Sequence, residues 1–244
     1  MSDSVYQLVS RFFIFYVPLL FSLCVHEWAH AWVASLKGDH LARDEGRLSL
    51  NPFVHADIIG TFILPLMSIF MGLPVFGWAK PVPVNPSVLK KPKQDMFWIA
   101  FAGPLSNFCL AFLGTIVLAI LSLLSHLPLS SIEMIGGPYA YATTPDHPLF
   151  SSLVGANLIL QAFIYINLLL GLFNLIPLHP LDGGKVIARF LPVEWNWRLE
   201  QWETYTSFIL IALFVTGGFR YLVFPAHWLS SQLIYLATKG VPFF

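Results

Sequence analysis

Of 244 residues, 57% belong to the apolar set A, V, I, L, M, F, W, Y and C and only 11% are charged, giving a mean hydropathy of +0.71. Soluble domains carry about 25% charged residues, so this composition excludes an ordinary cytosolic enzyme, a disordered chain and a nucleic-acid binder. The 13 basic and 13 acidic residues cancel, so no global field selects a charged partner and any specificity must come from where single charges sit.

From the N-terminus, residues 1 to 11 are polar with Arg11 as their one basic residue, and no cleavable leader is expected. Apolar runs follow at about 12 to 36, 58 to 76, 96 to 125, 151 to 178, 204 to 224 and, shorter, 228 to 237. About 20 residues of helix cross a bilayer. The first, third, fourth and fifth runs reach that length, whereas 58 to 76 is interrupted by Pro65, Gly72 and Pro74 and reads as re-entrant. Lys37, Arg43, Arg47, Lys80, Lys90, Lys91, Lys93, Lys185, Arg189 and Arg198 then share one side, while 126 to 150 carries no basic residue. By the positive-inside rule that side is cytoplasmic and the N-terminus lies outside. Residues 75 to 86 alternate valines and aromatics with prolines, which favours extended backbone but forbids a central strand. Such backbone at membrane depth must be buried in protein or line a wet cavity. Cys24 and Cys109 lie inside apolar runs with no spacing for a disulfide framework. The expected fold is an all-α polytopic membrane protein with about four to six transmembrane helices, a re-entrant segment and a short β-strand or hairpin, forming a single domain over residues 1 to 244.

The first run contains His26-Glu27-Trp28-Ala29-His30. At 100° per residue the two histidines lie about 40° apart on one helix face, a turn from each other, so both imidazoles reach one zinc. Glu27 projects about 100° round from His26, near enough to act on water at that ion as a general base. The bland alternative is a helix with satisfied histidines. In lipid it weakens, because an ionisable group at a helix centre costs about 2.5 to 3.5 kcal/mol on insertion scales. A catalytic zinc takes three protein ligands and keeps one position open. Asp182, after Pro177 and Pro180 and before Gly183 and Gly184, offers an oxygen at a broken helix end, although a turn or cap role would equally explain Asp-Gly-Gly.

His-Glu-x-x-His, then Gly103-Pro-Leu-Ser-Asn107, then Asn174-Leu-Ile-Pro followed by Leu181-Asp-Gly-Gly184 resemble the site-2 protease family of intramembrane zinc metallopeptidases. Residues 46 to 57 and 77 to 85 look like a compact bacterial branch of it, without an inserted PDZ-like domain or a C-terminal nucleotide-sensing CBS domain. The resemblance implies zinc held by His26, His30 and Asp182, with Glu27 activating water and Asn107 and Asn174 near the substrate backbone or its oxyanion. It implies a transmembrane protein as substrate and a multi-pass protein of the cell (inner) membrane, embedded in the lipid bilayer with its active site toward the cytoplasm.

Other polar residues read more blandly. His55 and Asp57 fit an interfacial turn better than a second metal site, and His179 reads as a hydrogen-bonded turn histidine or a further ligand. His40, His126, His147 and His227 look interfacial. Three rivals remain: a prenyl-protein peptidase, which takes glutamate as third ligand; a membrane metal or ion carrier, against which stands the absence of an inverted repeat; and a non-catalytic protein that binds transmembrane helices.

Overall fold

The computed structural model describes residues 8–71, 75–125, 148–216 and 218–239. The basic-free stretch 126–147, with His126 and His147, and residues 72–74 of the second apolar run lie outside the described residues. Three long apolar runs become three long helices: α1, Leu8–Leu36, with π-type turns at Phe12–Tyr16; α3, Pro92–Ser125; and α4, Pro148–Asn174. Between the first two lies α2, Ile58–Met71. After α4 come α5, Asp182–Ala188; α6, Val193–Gln201; α7, Glu203–Val215; and α8, Phe219–Lys239. Among the described residues, segments within α1, α3 and α4 are the three long and apolar enough to cross a membrane.

The fifth apolar run, read from the sequence as long enough to cross, is divided in the structure. Residues 204 to 224 do not form one helix. They divide between α7 and α8 around Thr216 and Gly218, where the pair Gly217-Gly218 supplies the weakest helix-forming stretch of the run. Asp57 starts α2, its Oδ1 accepting from the backbone N–H of Ile59 at 3.0 Å and of Gly60 at 2.7 Å. At 1.5 Å per residue the described part of α2 is about 20 Å long, short of the roughly 30 Å apolar thickness of a bilayer.

No strand forms among the described residues, which corrects the β-strand or hairpin expected at 75 to 86. The segment 75–85 is an extended strap. Pro81, Pro83 and Pro86 lack the N–H that a ladder needs, and several of the remaining backbone groups pair with loops and side chains. Trp78 N–H donates to Gly60 O at 3.1 Å and Lys80 N–H to His55 O at 2.8 Å. Arg47 Nη2 donates to Lys80 O at 2.6 Å, and Asn85 N–H donates to Asp39 Oδ2 at 2.7 Å.

α1, α3 and α4 pack on one another, α5 packs on α3, and α8 packs on α3 and α4. Ile14, Phe15, Leu19 and Leu23 of α1 meet Val154, Leu158, Ala162, Ile166 and Leu170 of α4. Ala111 and Leu118 of α3 meet Ile164 and Leu168 of α4 and Ala226 and Ala237 of α8. Facing outward, Val9, Phe13, Val17 and Phe21 recur every fourth residue on an exposed stripe of α1, and Phe112, Ile116 and Ile120 do so on α3. Water would penalise such stripes, whereas lipid solvates them. The polar side chains of the spans turn the other way: Ser22, His26, His30, Asn107, Asn157 and Asn167 are all buried.

Candidate metal centre

His26 and His30 follow from helix periodicity alone: one turn of α1 separates them and their ring centroids are 4.7 Å apart. His26, Glu27 and His30 offer ligand atoms that all lie within 4.8 Å of one another, and all three residues are buried. Glu27 Oε2 accepts the backbone N–H of Val82 at 2.9 Å, so the strap runs beside the carboxylate that the sequence marks as a base.

Asp182 arrives from far along the chain. Helix α4 ends at Asn174 because Pro177 and Pro180 cannot continue it, and α5 begins at Asp182 after the cap residue Leu181. Between them the chain doubles back so tightly that a Cβ on Gly183 would collide with the carbonyls of Leu175 and Ile176. Only glycine tolerates that approach. The turn brings Asp182 Oδ2 to 3.1 Å from His26 Nε2 and 3.3 Å from His30 Nε2.

The other ring nitrogens are already engaged. His30 Nδ1 donates to Ile99 O at 2.7 Å, and His26 Nδ1 donates to Asn107 Oδ1 at 2.6 Å. A neutral imidazole that donates through Nδ1 carries its lone pair on Nε2. Two lone pairs and a carboxylate oxygen therefore converge, an arrangement that repels unless positive charge lies among them, as extra protons or as a cation.

The donor set fits zinc. Atoms each about 2.0–2.1 Å from a tetrahedral zinc stand about 3.3–3.4 Å apart, the size of the separations found. Space is kept for an ion as well. A Cβ on Gly103 of α3 would fall 2.6 Å from His26 Nε2 and closer still to His30 Nε2, so the absence of a side chain at this one position leaves both nitrogens accessible.

The two asparagines, both expected near the substrate, have different surroundings. Asn107 is fully buried. Its Oδ1 faces His26, and its Nδ2 donates to Asn167 Oδ1 at 2.9 Å. Both polar atoms are thus taken up, by His26 and by Asn167. Asn174 Nδ2 donates to Leu170 O at 3.0 Å in its own helix, with no hydrogen bond to the histidines, Glu27 or Asp182 among the described residues. His55 and Asp57 serve the turn as expected: His55 Nε2 bonds Ser49 O at 2.8 Å, and Asp57 caps α2. His179 is buried; its carbonyl accepts from Thr206 Oγ1 and its ring lies against Gly184. It does not belong to the close donor group of His26, Glu27 and His30.

Sequence reasoning missed Ser22, Asn167, Asp39, Arg47 and Val82. Ser22 stands one turn before His26, and Asn167 two turns before Asn174. A polar residue at helical spacing from a suspected ligand is the signal that could have found the first two.

The profile of Peptidase family M50 matches residues 14–216. The chain belongs to Peptidase family M50. This is the site-2 protease family that its motifs resemble, and the match takes in His26, Glu27, His30, Asn107 and Asp182 together. Among M50-like relatives, the Bacillus subtilis (strain 168) protein named "Putative zinc metalloprotease YwhC" is 35% identical over 86% of this chain and 83% of its own length. The Mycolicibacterium smegmatis protein named "Putative zinc metalloprotease Rip2" is 26% identical over 95% of this chain and 80% of its own. No solved structure matches.

Proposed function

We propose that this M50 peptidase is a zinc-dependent intramembrane protease that hydrolyses peptide bonds in or near transmembrane segments of other membrane proteins. One observation carries the reading: His26 Nε2, His30 Nε2 and Asp182 Oδ2 converge, at 3.1 and 3.3 Å from carboxylate to imidazoles, inside helices whose outer faces are apolar. His26, His30 and Asp182 would hold the zinc. When bound, that ion supplies Lewis acidity, polarising the scissile carbonyl and acidifying water beside it.

Glu27 does the proton work in this mechanism. Val82 N–H holds Oε2, and Oε1 takes the proton of the attacking water and returns it to the departing amine. Asn174 Oδ1 accepts no hydrogen bond from the described residues and is the amide oxygen left for a substrate N–H. A transmembrane substrate hides its carbonyls in its own helix and must unwind before attack. The strap 75–85 receives the unwound segment by backbone pairing, which meets the freed polar groups. The charge distribution supports a protein of the cell (inner) membrane with this site toward the cytoplasm.

The test uses the purified chain in lipid vesicles with a single-span substrate protein. We expect about one zinc per chain, cleavage within or next to the span, and loss of both in Asp182→Ala. A chain that cleaves without bound zinc, or an Asp182→Ala variant with unchanged zinc affinity, would remove the proposed centre.

A further inference from the structure

The geometry points to Asn167 of α4 as a positioning residue for the metal centre: through Asn107 it fixes the tautomer and orientation of His26. The inference rests on the zinc reading above. Its basis is a chain of hydrogen bonds whose direction is set at one end by backbone carbonyls, which can only accept. Ser22 Oγ donates to Pro18 O at 2.7 Å, so this hydroxyl accepts where it meets Asn167. Asn167 Nδ2 donates to Ser22 Oγ and to Phe163 O, each at 2.9 Å. A flipped Asn167 would press its oxygen against the Phe163 carbonyl, so Nδ2 stays there and Oδ1 faces α3.

Asn107 Nδ2 then donates to Asn167 Oδ1 at 2.9 Å and to the Ser22 carbonyl at 3.4 Å. With its amide nitrogen committed, Asn107 has only Oδ1 to offer His26, at 2.6 Å. His26 must carry its proton on Nδ1, which leaves the Nε2 lone pair aimed at Asp182 and at the space beside Gly103. A ligand histidine is oriented by the partner of its other nitrogen, and losing that partner typically costs about 10- to 100-fold in metal affinity. His30 achieves the same orientation with one backbone carbonyl, Ile99 O. His26 depends on three side chains from α1, α3 and α4. Asn107 and Asn167 are fully buried, as is Ser22, so water cannot replace a lost member.

The experiment measures zinc affinity by competition with a chromophoric chelator, on the whole chain in detergent. Asn167→Leu and Asn107→Leu are each expected to bind zinc about 10- to 100-fold more weakly. The double variant should be no weaker than Asn107→Leu, because Asn167 acts through Asn107. Asn107→Asp keeps an acceptor at His26 Nδ1 and, as a neutral buried acid, an O–H for Asn167 Oδ1, and should stay within a few-fold of wild type. Asn157→Leu, a change at another fully buried amide of α4 that bonds Gln161 instead, should leave zinc affinity unchanged. Should Asn167→Leu not fold, Asn167→Ser removes the amide with less added apolar bulk and carries the same expectation. The relay is overturned by unchanged affinity in the Asn167 variants, by additive losses in the double variant, by an Asn107→Asp as weak as Asn107→Leu, or by an equal loss in Asn157→Leu. A wild-type chain that binds no zinc would instead overturn the metal reading itself.

Discussion

Within one turn of α1, three ionisable side chains point to two different duties. His26 and His30 present Nε2 to Asp182, while Glu27 turns to the strap and accepts Val82 N–H at 2.9 Å. This division makes Glu27 separable from metal binding. Glu27→Gln keeps a carbonyl oxygen for Val82 N–H but cannot take a proton, so cleavage should fall by about 10²–10⁴-fold with zinc per chain unchanged. Metal analysis beside a cleavage assay checks this; normal turnover would take Glu27 out of the chemistry. The grouping of His26, Glu27 and His30 was legible in His26-Glu27-Trp28-Ala29-His30 because helix periodicity is local. The part played by Asn107 was not. A single asparagine in an apolar run reads equally as a substrate contact or as interhelical glue, and only the 2.6 Å approach of His26 Nδ1 assigns it to the histidine.

At the scale of elements, the strap 75–85 shows how an extended segment without sheet neighbours is held beside a membrane helix. Asp39 Oδ2 takes Asn85 N–H at one end, Arg47 donates to Lys80 O further along, and Glu27 takes Val82 N–H between them. Asp39 also accepts Leu41 N–H at 3.1 Å through Oδ1 and is buried. Asp39→Ala would strand both donors, and buried groups left unpaired cost about 1–3 kcal/mol each. Lower unfolding stability is expected, with weaker substrate cleavage but unchanged zinc stoichiometry; full stability and activity would mean that the strap is held by its other contacts. The sequence announced extended backbone through its valines and prolines. It did not announce the partners, since Asp39 and Arg47 read as ordinary charges of a loop. The break between α7 and α8 was visible in Gly217-Gly218, yet the apolar count carried the run through it.

For the whole molecule, the candidate metal centre ties α1 to the turn that opens α5, and α3 closes over it with Gly103. An ion bound only by the folded chain stabilises it by mass action. Chelation should therefore lower the melting temperature, and added zinc should restore it. Acid should act in the same direction, because protons compete with the metal for the Nε2 lone pairs of His26 and His30. A melting temperature indifferent to chelator, in a chain shown to hold zinc, would mean that the three elements are fixed by packing alone.

The sequence by itself determined the solvent, the three long helices and the pairing of His26 with His30. Lipid admits apolar helices that satisfy their own backbone, and residues a turn apart share a face whatever surrounds them. Only the tertiary structure decided what joins distant residues: Asp182 with His26, 156 positions apart; Val82 with Glu27; and Asn167 with His26 through Asn107. Such contacts depend on how closely helices approach and where broken ends turn back, and no periodicity within a single element carries that information.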